Sequence, residues 1–281
     1  SFSVGYTHQD IKELSGMAST TANSSYGKYA ASDYNNRTPQ RSIYETEHRF
    51  FATASSTHYF LGADKPTTFN LYFERKSGLP GTYSWDTYTS RNYGGTAYQQ
   101  EAFGYEKNLN DDSSHLLYVP SGVSDPNVCW GSCAAPDLAI AAQVLDTLYN
   151  TLGLQGYAGQ IVPNGVYEYP WRTSLDLKIT QILPGFRAED EFVISLGIMN
   201  LLNLIDSDRG EAKYGPYNGK MAVLDMYMNS DFTKYIYPNY KGRGYPDYAY
   251  GYNGSNPKGI RKSAVNSIWR AQLGFTYKFS F

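Results

Sequence analysis

The sequence predicts an all-β fold, in the form of a transmembrane antiparallel β-barrel with long extracellular loops and one short loop helix. Three observations lead to this prediction: apolar and polar residues alternate along several segments, connections alternate between short and long, and aromatic residues recur near both ends of the strands. The net charge of −2 gives no electrostatic reason to expect a nucleic-acid partner. The sequence contains no run of about 18 apolar residues that would predict a membrane helix.

The strands are predicted from residues that alternate with a period of two. Six segments have this pattern, roughly 1–9, 47–60, 67–76, 172–183, 191–203 and 267–281. In the last segment the apolar residues from Trp269 to Phe281 share one parity, and Gln272 lies on the other with Arg270 and Lys278. We expect the apolar parity to face lipid, and the polar parity, which includes Asp176 and Lys178, to face the barrel interior.

The connections between these segments differ in length in a regular way. Residues 61–66 and 184–190 are short turns, whereas about 10–46, 77–171 and 204–266 are long. Outer-membrane barrels have short periplasmic turns and longer extracellular loops, so the long connections are predicted to lie outside the cell. Residues 1–281 would then be the C-terminal segment of one barrel domain. Because a membrane barrel needs about eight strands to close, we expect the other strands to come from an N-terminal part of the same protein or from a second chain.

Aromatic residues at the strand ends agree with a membrane location. Amphipathic rings prefer the headgroup level, and barrels carry two aromatic girdles there. The predicted membrane-interface residues are Trp171 and Trp269 at the outer end and Tyr277, Phe279 and Phe281 at the other. The alternative is a soluble β-sandwich whose apolar face packs on a second sheet. It explains the alternation, but it explains the long loops at one end less well.

One helix is predicted in the 77–171 loop, within "PDLAIAAQVLDTLYNTLG". Pro136 suits the first helical position, Asp137 the first turn, and Gly153 can end the helix. Its apolar face is predicted to comprise Leu138, Ala142, Leu145 and Leu148.

Tyrosine is unusually frequent, with 28 residues in the chain, and the 204–266 segment combines it with Gly, Asn and Pro. This composition predicts an ordered loop or recognition surface rather than a strand. Such side chains can bind glycans or peptides, contact a partner protein, or pack on each other, and we favour partner contact and packing. The candidate substrate- or partner-binding residues are Tyr83, Trp85, Tyr235, Tyr237, Tyr245 and Tyr248.

Cys129 and Cys133, in "CWGSC", are predicted to form a local disulfide, with two free thiols as the alternative. Two cysteines without a nearby histidine supply too few ligands for a metal ion. Asn108, Asn110 and Asp112 alternate as in calcium loops, but the turn glycine and the later glutamate are missing, so a solvated acidic turn is favoured. We therefore predict neither a metal site nor a cofactor.

The four histidines, His8, His48, His58 and His115, have no hydrolase signature around them. Structural roles at an interface or in the barrel interior are favoured for them. No catalytic residue is predicted, and the protein is not expected to be an enzyme.

Several stretches together carry a resemblance to a known family. "NLLN" at 200–203 resembles a signature in the penultimate strand of TonB-dependent outer-membrane receptors, and the terminal strand with Phe281 resembles their last strand. More narrowly, "EHRFFATASSTHYF", "NLYFERKSGLPGTYSWD", "LLYVP" and "PWRTSLDLKITQ" resemble the C-terminal region of Oar-like receptors of this family.

The resemblance implies a barrel of about 22 strands filled by an N-terminal plug domain and located in the outer membrane. It implies active substrate uptake driven by TonB, with TonB reached through the N-terminal part. The expected partners are the lipid bilayer, the remaining strands and plug of the same receptor, TonB and surface lipoproteins. The alternative function is a structural or adhesive outer-membrane subunit whose long loops bind a protein.

Overall fold

The structure is a computed structural model that describes residues 1–14, 20–21, 25, 30–31, 36–87, 115–215, 219–229, 231, 233–238 and 260–279. The fold is all-β, as predicted, with one helix longer than two turns among these residues. None of the described helices is long and apolar enough to cross a membrane.

The elements have the following bounds. The strands are β1 (Phe2–His8), β2 (Lys12–Glu13), β3 (Gln40–Arg41), β4 (His48–His58), β5 (Thr67–Lys76), β6 (Pro80–Thr87), β7 (His115–Leu116), β8 (Tyr118–Val119), β9 (Val128–Trp130), β10 (Gln160–Ile161), β11 (Tyr167–Glu168), β12 (Arg172–Pro184), β13 (Glu191–Met199), β14 (Lys213–Tyr214), β15 (Lys220–Met228), β16 (Tyr235–Tyr237), β17 (Arg261–Lys262) and β18 (Arg270–Lys278). The helices are α1 (Leu138–Asp146), continued by a π-helical turn (Thr147–Thr151), then a 3₁₀ turn (Gln155–Tyr157), α2 (Leu201–Ile205) and α3 (Ala264–Ser267).

Six strands form an antiparallel sheet in chain order, β1-β4-β5-β12-β13-β18, which we call the meander sheet. These are the six predicted strands, so that prediction is confirmed. Two predicted ends were wrong. β13 stops at Met199 rather than 203 because Asn200 turns with a φ of 55° and α2 follows. β18 begins at Arg270 rather than 267 because α3 occupies the residues before it.

The register of the meander sheet separates apolar from polar residues. One row of opposed residues consists of Leu71, Leu177, Ile198 and Ala271. The neighbouring row, on the opposite face, consists of Asn70, Lys178, Gly197 and Gln272. Because side chains alternate between faces along a strand, the sheet has one apolar face and one polar face.

The connections of the meander sheet also alternate in length as predicted. Residues 59–66 and 185–190 join neighbouring strands at one end of the sheet. The long connections, 9–47, 77–171 and 200–269, all begin and end at the other end.

The long connections contain a second six-stranded sheet, which we call the mixed sheet. Its order is β11-β6-β15-β16-β9, and β7 pairs with β6. β15 is parallel to β6, and β16 is parallel to β9. The prediction of loop rather than strand structure for 204–266 was therefore wrong for β15 and β16.

The buried core of the chain lies around the mixed sheet and α1. Side chains from β8, α1, β15 and β16 meet there. The fully buried members of this cluster include Leu117, Val119, Val144, Leu148, Val223, Leu224, Met226 and Tyr237. The described parts of the two long connections 77–171 and 204–266 thus share one core, and we call this region the outer domain.

Helix α1 confirms the predicted helix but corrects its details. Asp137 is the N-cap, and its side chain accepts a hydrogen bond from Ala139 N–H at 2.8 Å, so the helix begins after Pro136 and Asp137. Its buried face is Ala141, Val144 and Leu148, with Leu145 partly buried, whereas Leu138 and Ala142 are exposed. Gly153 follows the helical segment with a φ of 72°, as expected for a stop signal.

Candidate functional site

The polar face of the meander sheet carries a cleft of about 470 Å³. Five strands contribute to its lining, which includes Thr53, Asn70, Tyr72, Asp176, Lys178 and Gln272. The predicted placement of Asp176, Lys178 and Gln272 on one face is confirmed by the register, which puts Lys178 and Gln272 in one row, with Asp176 two residues before Lys178 on the same strand. Such groups can hydrogen-bond water or a polar protein surface.

Two groups of ion pairs lie elsewhere on the polar face. Arg49 contacts the Glu74 carboxylate through Nε and Nη2, each at 2.7 Å, and Lys76 Nζ lies 3.5 Å from the same side chain. Lys278 pairs with Glu191 at 3.1 Å. The Lys278–Glu191 pair is exposed, and such pairs contribute about 0–1 kcal/mol each, whereas the Glu74 side chain is only 13% exposed.

The two asparagines of "NLLN" fix the start of the long connection after β13. Asn200 N–H donates to the Asp176 carboxylate at 2.8 Å, which ties the polar cleft to this turn. Its Nδ2 donates to the carbonyls of Gly210 and Ser267, both at 2.9 Å. Asn203 Oδ1 accepts from Trp269 N–H at 3.3 Å. The motif therefore holds the beginning of β18 against the end of β13.

Four of the five predicted interface aromatics lie in the described residues, at opposite ends of the meander sheet. Trp171 precedes β12 and Trp269 precedes β18, both at the end with the long connections, and both are partly exposed. Tyr277 and Phe279 lie at the end with the short turns, where Tyr277 Oη donates to Asp190 at 2.5 Å. Phe281 lies outside the described residues.

Where the structure describes their side chains, the tyrosine candidates lie in or beside the core of the outer domain. Tyr83 and Tyr237 are core residues of the outer domain, and burial raises the pKa of Tyr83 to about 12. Tyr237 Oη donates to the Tyr118 carbonyl at 2.6 Å, and Tyr235 is partly buried and stacks on the Tyr118 ring, with centroids 4.6 Å apart. These side chains stabilise the fold and offer little surface to a ligand.

The side chains of the remaining loop candidates are not among those that the structure describes. Trp85 lies on β6, but its side chain is outside the described part of the chain. The same holds for the following predicted residues: Tyr245, Tyr248, Asn108, Asn110 and Asp112.

The two cysteines form a disulfide within the outer domain. Cys129 at β9 is bonded to Cys133, with their Cα atoms 4.8 Å apart. Just before β9, the carboxylate of Asp125 accepts hydrogen bonds from Ser121 N–H at 2.6 Å, Asn127 N–H at 2.8 Å and Tyr118 Oη at 2.9 Å. Burial raises the pKa of Asp125, but these hydrogen bonds together outweigh it, so that pKa lies below its usual value.

The structure brings together one group that the sequence did not single out as a metal site. His8, Glu47 and His48 each offer a ligand atom, and these atoms lie within 4.8 Å of one another. The sequence gives only part of this signal: His8 and His48 stand near the ends of the first two predicted strands, but the strand register is what brings them beside each other and beside Glu47.

Comparisons with known proteins find no match to this chain among family models, characterised proteins or solved structures. The function is therefore argued from the geometry of the two sheets.

Proposed function

We propose that this chain is the C-terminal barrel portion of a TonB-dependent transporter in the cell outer membrane. The meander sheet would be barrel wall, with its apolar face in lipid and its polar face toward the interior. The outer domain built on the long connections would lie outside the cell. The remaining strands and the plug would come from the same receptor, on the same or a separate chain.

The observation that carries the proposal is the exposed apolar face of the meander sheet. Phe2, Leu273 and Phe275 are 72%, 59% and 62% exposed. They share their face with a continuous set of apolar residues on the neighbouring strands, including Leu71, Leu177 and Ile198. Soluble monomers rarely expose such large contiguous apolar patches, whereas a lipid-facing barrel wall requires them.

Strand length and the position of aromatic residues also support a membrane location. Transmembrane strands need about 9–11 tilted residues. β4, β5, β13 and β18 have 11, 10, 9 and 9 residues. Partly exposed Trp171 and Trp269 at one end and Tyr277 and Phe279 at the other match two aromatic girdles.

The edges of the meander sheet support a larger barrel. Among the described strands, β1 pairs only with β4, and β18 pairs only with β13. An open edge in lipid would leave backbone groups unpaired at a cost of several kcal/mol each. Further strands would therefore pair with β1 and β18, and a plug would meet the polar cleft that contains Asp176 and Lys178.

Site-directed labelling tests the orientation. We expect single cysteines at Asp64 and Ala188, in the two short turns, to resist a membrane-impermeant thiol reagent in intact cells, and a cysteine at Ser124, exposed in the outer domain, to react. Lysed cells should label all three variants, which controls for intrinsic reactivity. Labelling of Asp64→Cys and Ala188→Cys in intact cells as readily as Ser124→Cys would contradict the proposed topology.

The separate core of the outer domain favours a second candidate, a structural or adhesive outer-membrane subunit. A folded platform outside the membrane can present a surface to a protein partner such as a surface lipoprotein. Sequencing the native polypeptide upstream of Ser1 distinguishes the two functions, since a plug and a TonB box would support transport. Their absence from the native polypeptide would support the adhesive subunit.

A further inference from the structure

We propose that His8, Glu47 and His48 bind a divalent transition-metal ion of the zinc type at the paired ends of β1 and β4. One imidazole nitrogen from each histidine and one glutamate oxygen lie within 4.8 Å of one another. Zn²⁺ binds such ligands at about 2.0–2.2 Å, so small side-chain rotations bring all three onto one ion. The partial exposure of these side chains permits those rotations.

The backbone register places the ligands together. His8 is directly opposite His48 in the β1–β4 pair, and their rings stack with centroids 5.1 Å apart. Gln9 N–H donates to the Glu47 carbonyl at 2.9 Å, which continues the pairing past the end of the strands. Glu47 precedes β4, and its Oε1 lies 3.3 Å from His48 Nε2. The three side chains therefore meet because two strands end in register.

Neighbouring groups already orient the ligand atoms. Tyr6 Oη is 2.9 Å from His48 Nδ1, and when Nδ1–H donates to that hydroxyl, Nε2 carries the lone pair that faces Glu47. Arg41 Nη2 donates to Glu47 Oε2 at 2.7 Å, which leaves Oε1 for a metal ion. Hydrogen bonds that hold the far atoms of metal-binding histidines and carboxylates are typical of metal sites.

The charge around the site favours a dication. Arg41 contacts three carboxylates, those of Glu45, Glu47 and Glu168, at 2.5, 2.7 and 3.6 Å. Because its one positive charge is shared among three carboxylates, Arg41 does not fully neutralise Glu47; the guanidinium of Arg75 lies against the Trp171 ring, which stacks on His48. Two imidazoles and one carboxylate suit Zn²⁺, Cu²⁺ or Ni²⁺ better than Ca²⁺ or Mg²⁺, and three protein ligands leave a position for water. A bound ion would clamp β1 to β4.

Titration of the purified, EDTA-treated full chain with Zn²⁺ in a calorimeter tests the proposal. We expect one Zn²⁺ per chain. His8→Ala and His48→Ala should each lower the affinity at least about tenfold, and Tyr6→Phe, which keeps the ring but removes the hydroxyl, by about tenfold. His58→Ala is the matched control, because His58 lies at the other end of β4 and contacts Ser56 instead. It should leave the affinity unchanged.

X-ray absorption of the zinc-loaded chain gives a second measurement that does not depend on variants. It should show two imidazole nitrogens and at least one oxygen at about 2.0–2.2 Å. Failure of the wild-type chain to bind Zn²⁺ would overturn the proposal. Equal affinity in His8→Ala, whose side chain is exposed at a strand end and whose loss should not affect folding, would overturn it as well. A loss of Zn²⁺ affinity in His58→Ala as large as that in His8→Ala would also overturn the proposal.

Discussion

The meander sheet and the mixed sheet each contain six strands, but they differ in the burial of their apolar side chains. The meander sheet exposes large apolar side chains such as Phe2 and Phe275, whereas the mixed sheet buries Leu224 and Tyr237 completely. The mixed sheet packs with α1 around a shared core, so the protein itself covers these apolar side chains. The apolar face of the meander sheet stays exposed among the described residues, and this difference is the main support for the proposed membrane location.

The two sheets also differ in how the chain builds them. The meander sheet pairs each of its strands with the next one along the chain, and all pairs are antiparallel. The mixed sheet joins residues from both long connections through the parallel pairs β6–β15 and β16–β9. Described parts of the chain that are separate in sequence thereby form one folded unit with its own core, distinct from the meander sheet.

The largest expected effect tests that independence. Tyr237→Ala removes a fully buried ring that stacks on Trp130, with centroids 5.6 Å apart, and donates to the Tyr118 carbonyl. We expect it to destabilise the outer domain by about 3–5 kcal/mol, measured by hydrogen exchange of amides in β9 and β16. Tyr214→Ala, in exposed β14, is the control and should change little. Equal loss of protection in the meander sheet would show that the two regions unfold as one unit.

A charge on the apolar face tests which medium the meander sheet occupies. Leu273→Arg places a guanidinium where lipid is proposed, and we expect the free energy of unfolding from lipid vesicles to fall by about 2–4 kcal/mol. Gln272→Arg is the matched control, because the adjacent residue faces the polar cleft. If both variants unfold at the same denaturant concentration as the wild type, the apolar face does not contact lipid.

Removing the disulfide tests whether the outer domain affects the meander sheet and the barrel proposed for it. Cys129→Ser with Cys133→Ser opens a very short ring at the end of β9. We expect a loss of about 2 kcal/mol, confined to the outer domain, because loop-closure stabilisation is small for short rings. Heat-modifiable migration of the barrel on gels should stay intact in the double variant. Loss of that migration would mean that barrel assembly depends on this loop.

The smallest effect concerns pH. The folded-state pKa of Asp125 lies below its usual value of 3.8, so its carboxylate stabilises the outer domain above about pH 4. That contribution is lost as the pH falls through the lower folded-state pKa. We expect Asp125→Asn to lower the free energy of unfolding of the outer domain by on the order of 1 kcal/mol at neutral pH. The free energy of unfolding should then fall less steeply between neutral and acidic pH than in the wild type, measured by hydrogen exchange of amides in β9.

Asp137→Asn is the matched Asp-to-Asn substitution elsewhere in the outer domain, because asparagine also caps helices and can keep the hydrogen bond to Ala139 N–H. If the free energy of unfolding of Asp125→Asn falls with acidification as steeply as that of the wild type, other groups are responsible for the pH dependence.

The sequence determined the meander sheet by itself. Its six strands, their two parities and the alternation of short and long connections were all predicted, because each is a local pattern with a period of two or a turn between neighbours. The helix was predicted as well, although Asp137 proved to be its cap and the buried face shifted by one residue, to Ala141 and Val144. The alternating pattern predicted that the strand continues to residue 203, but the left-handed backbone of Asn200 ends β13 before that point.

Only the tertiary structure decided the outer domain and the histidine site. The pairing of Thr82 with Lys220 joins residues that are far apart in the chain, and such parallel pairing leaves no local signature. Tyr83 on β6 and Tyr237 on β16 are buried because these strands pack in one sheet around a shared core, so residues that looked like a recognition surface are core residues. Glu47 and His8 meet because two strands end side by side. Contact between residues distant in sequence depends on how the whole chain packs, and that is the information which local patterns lack.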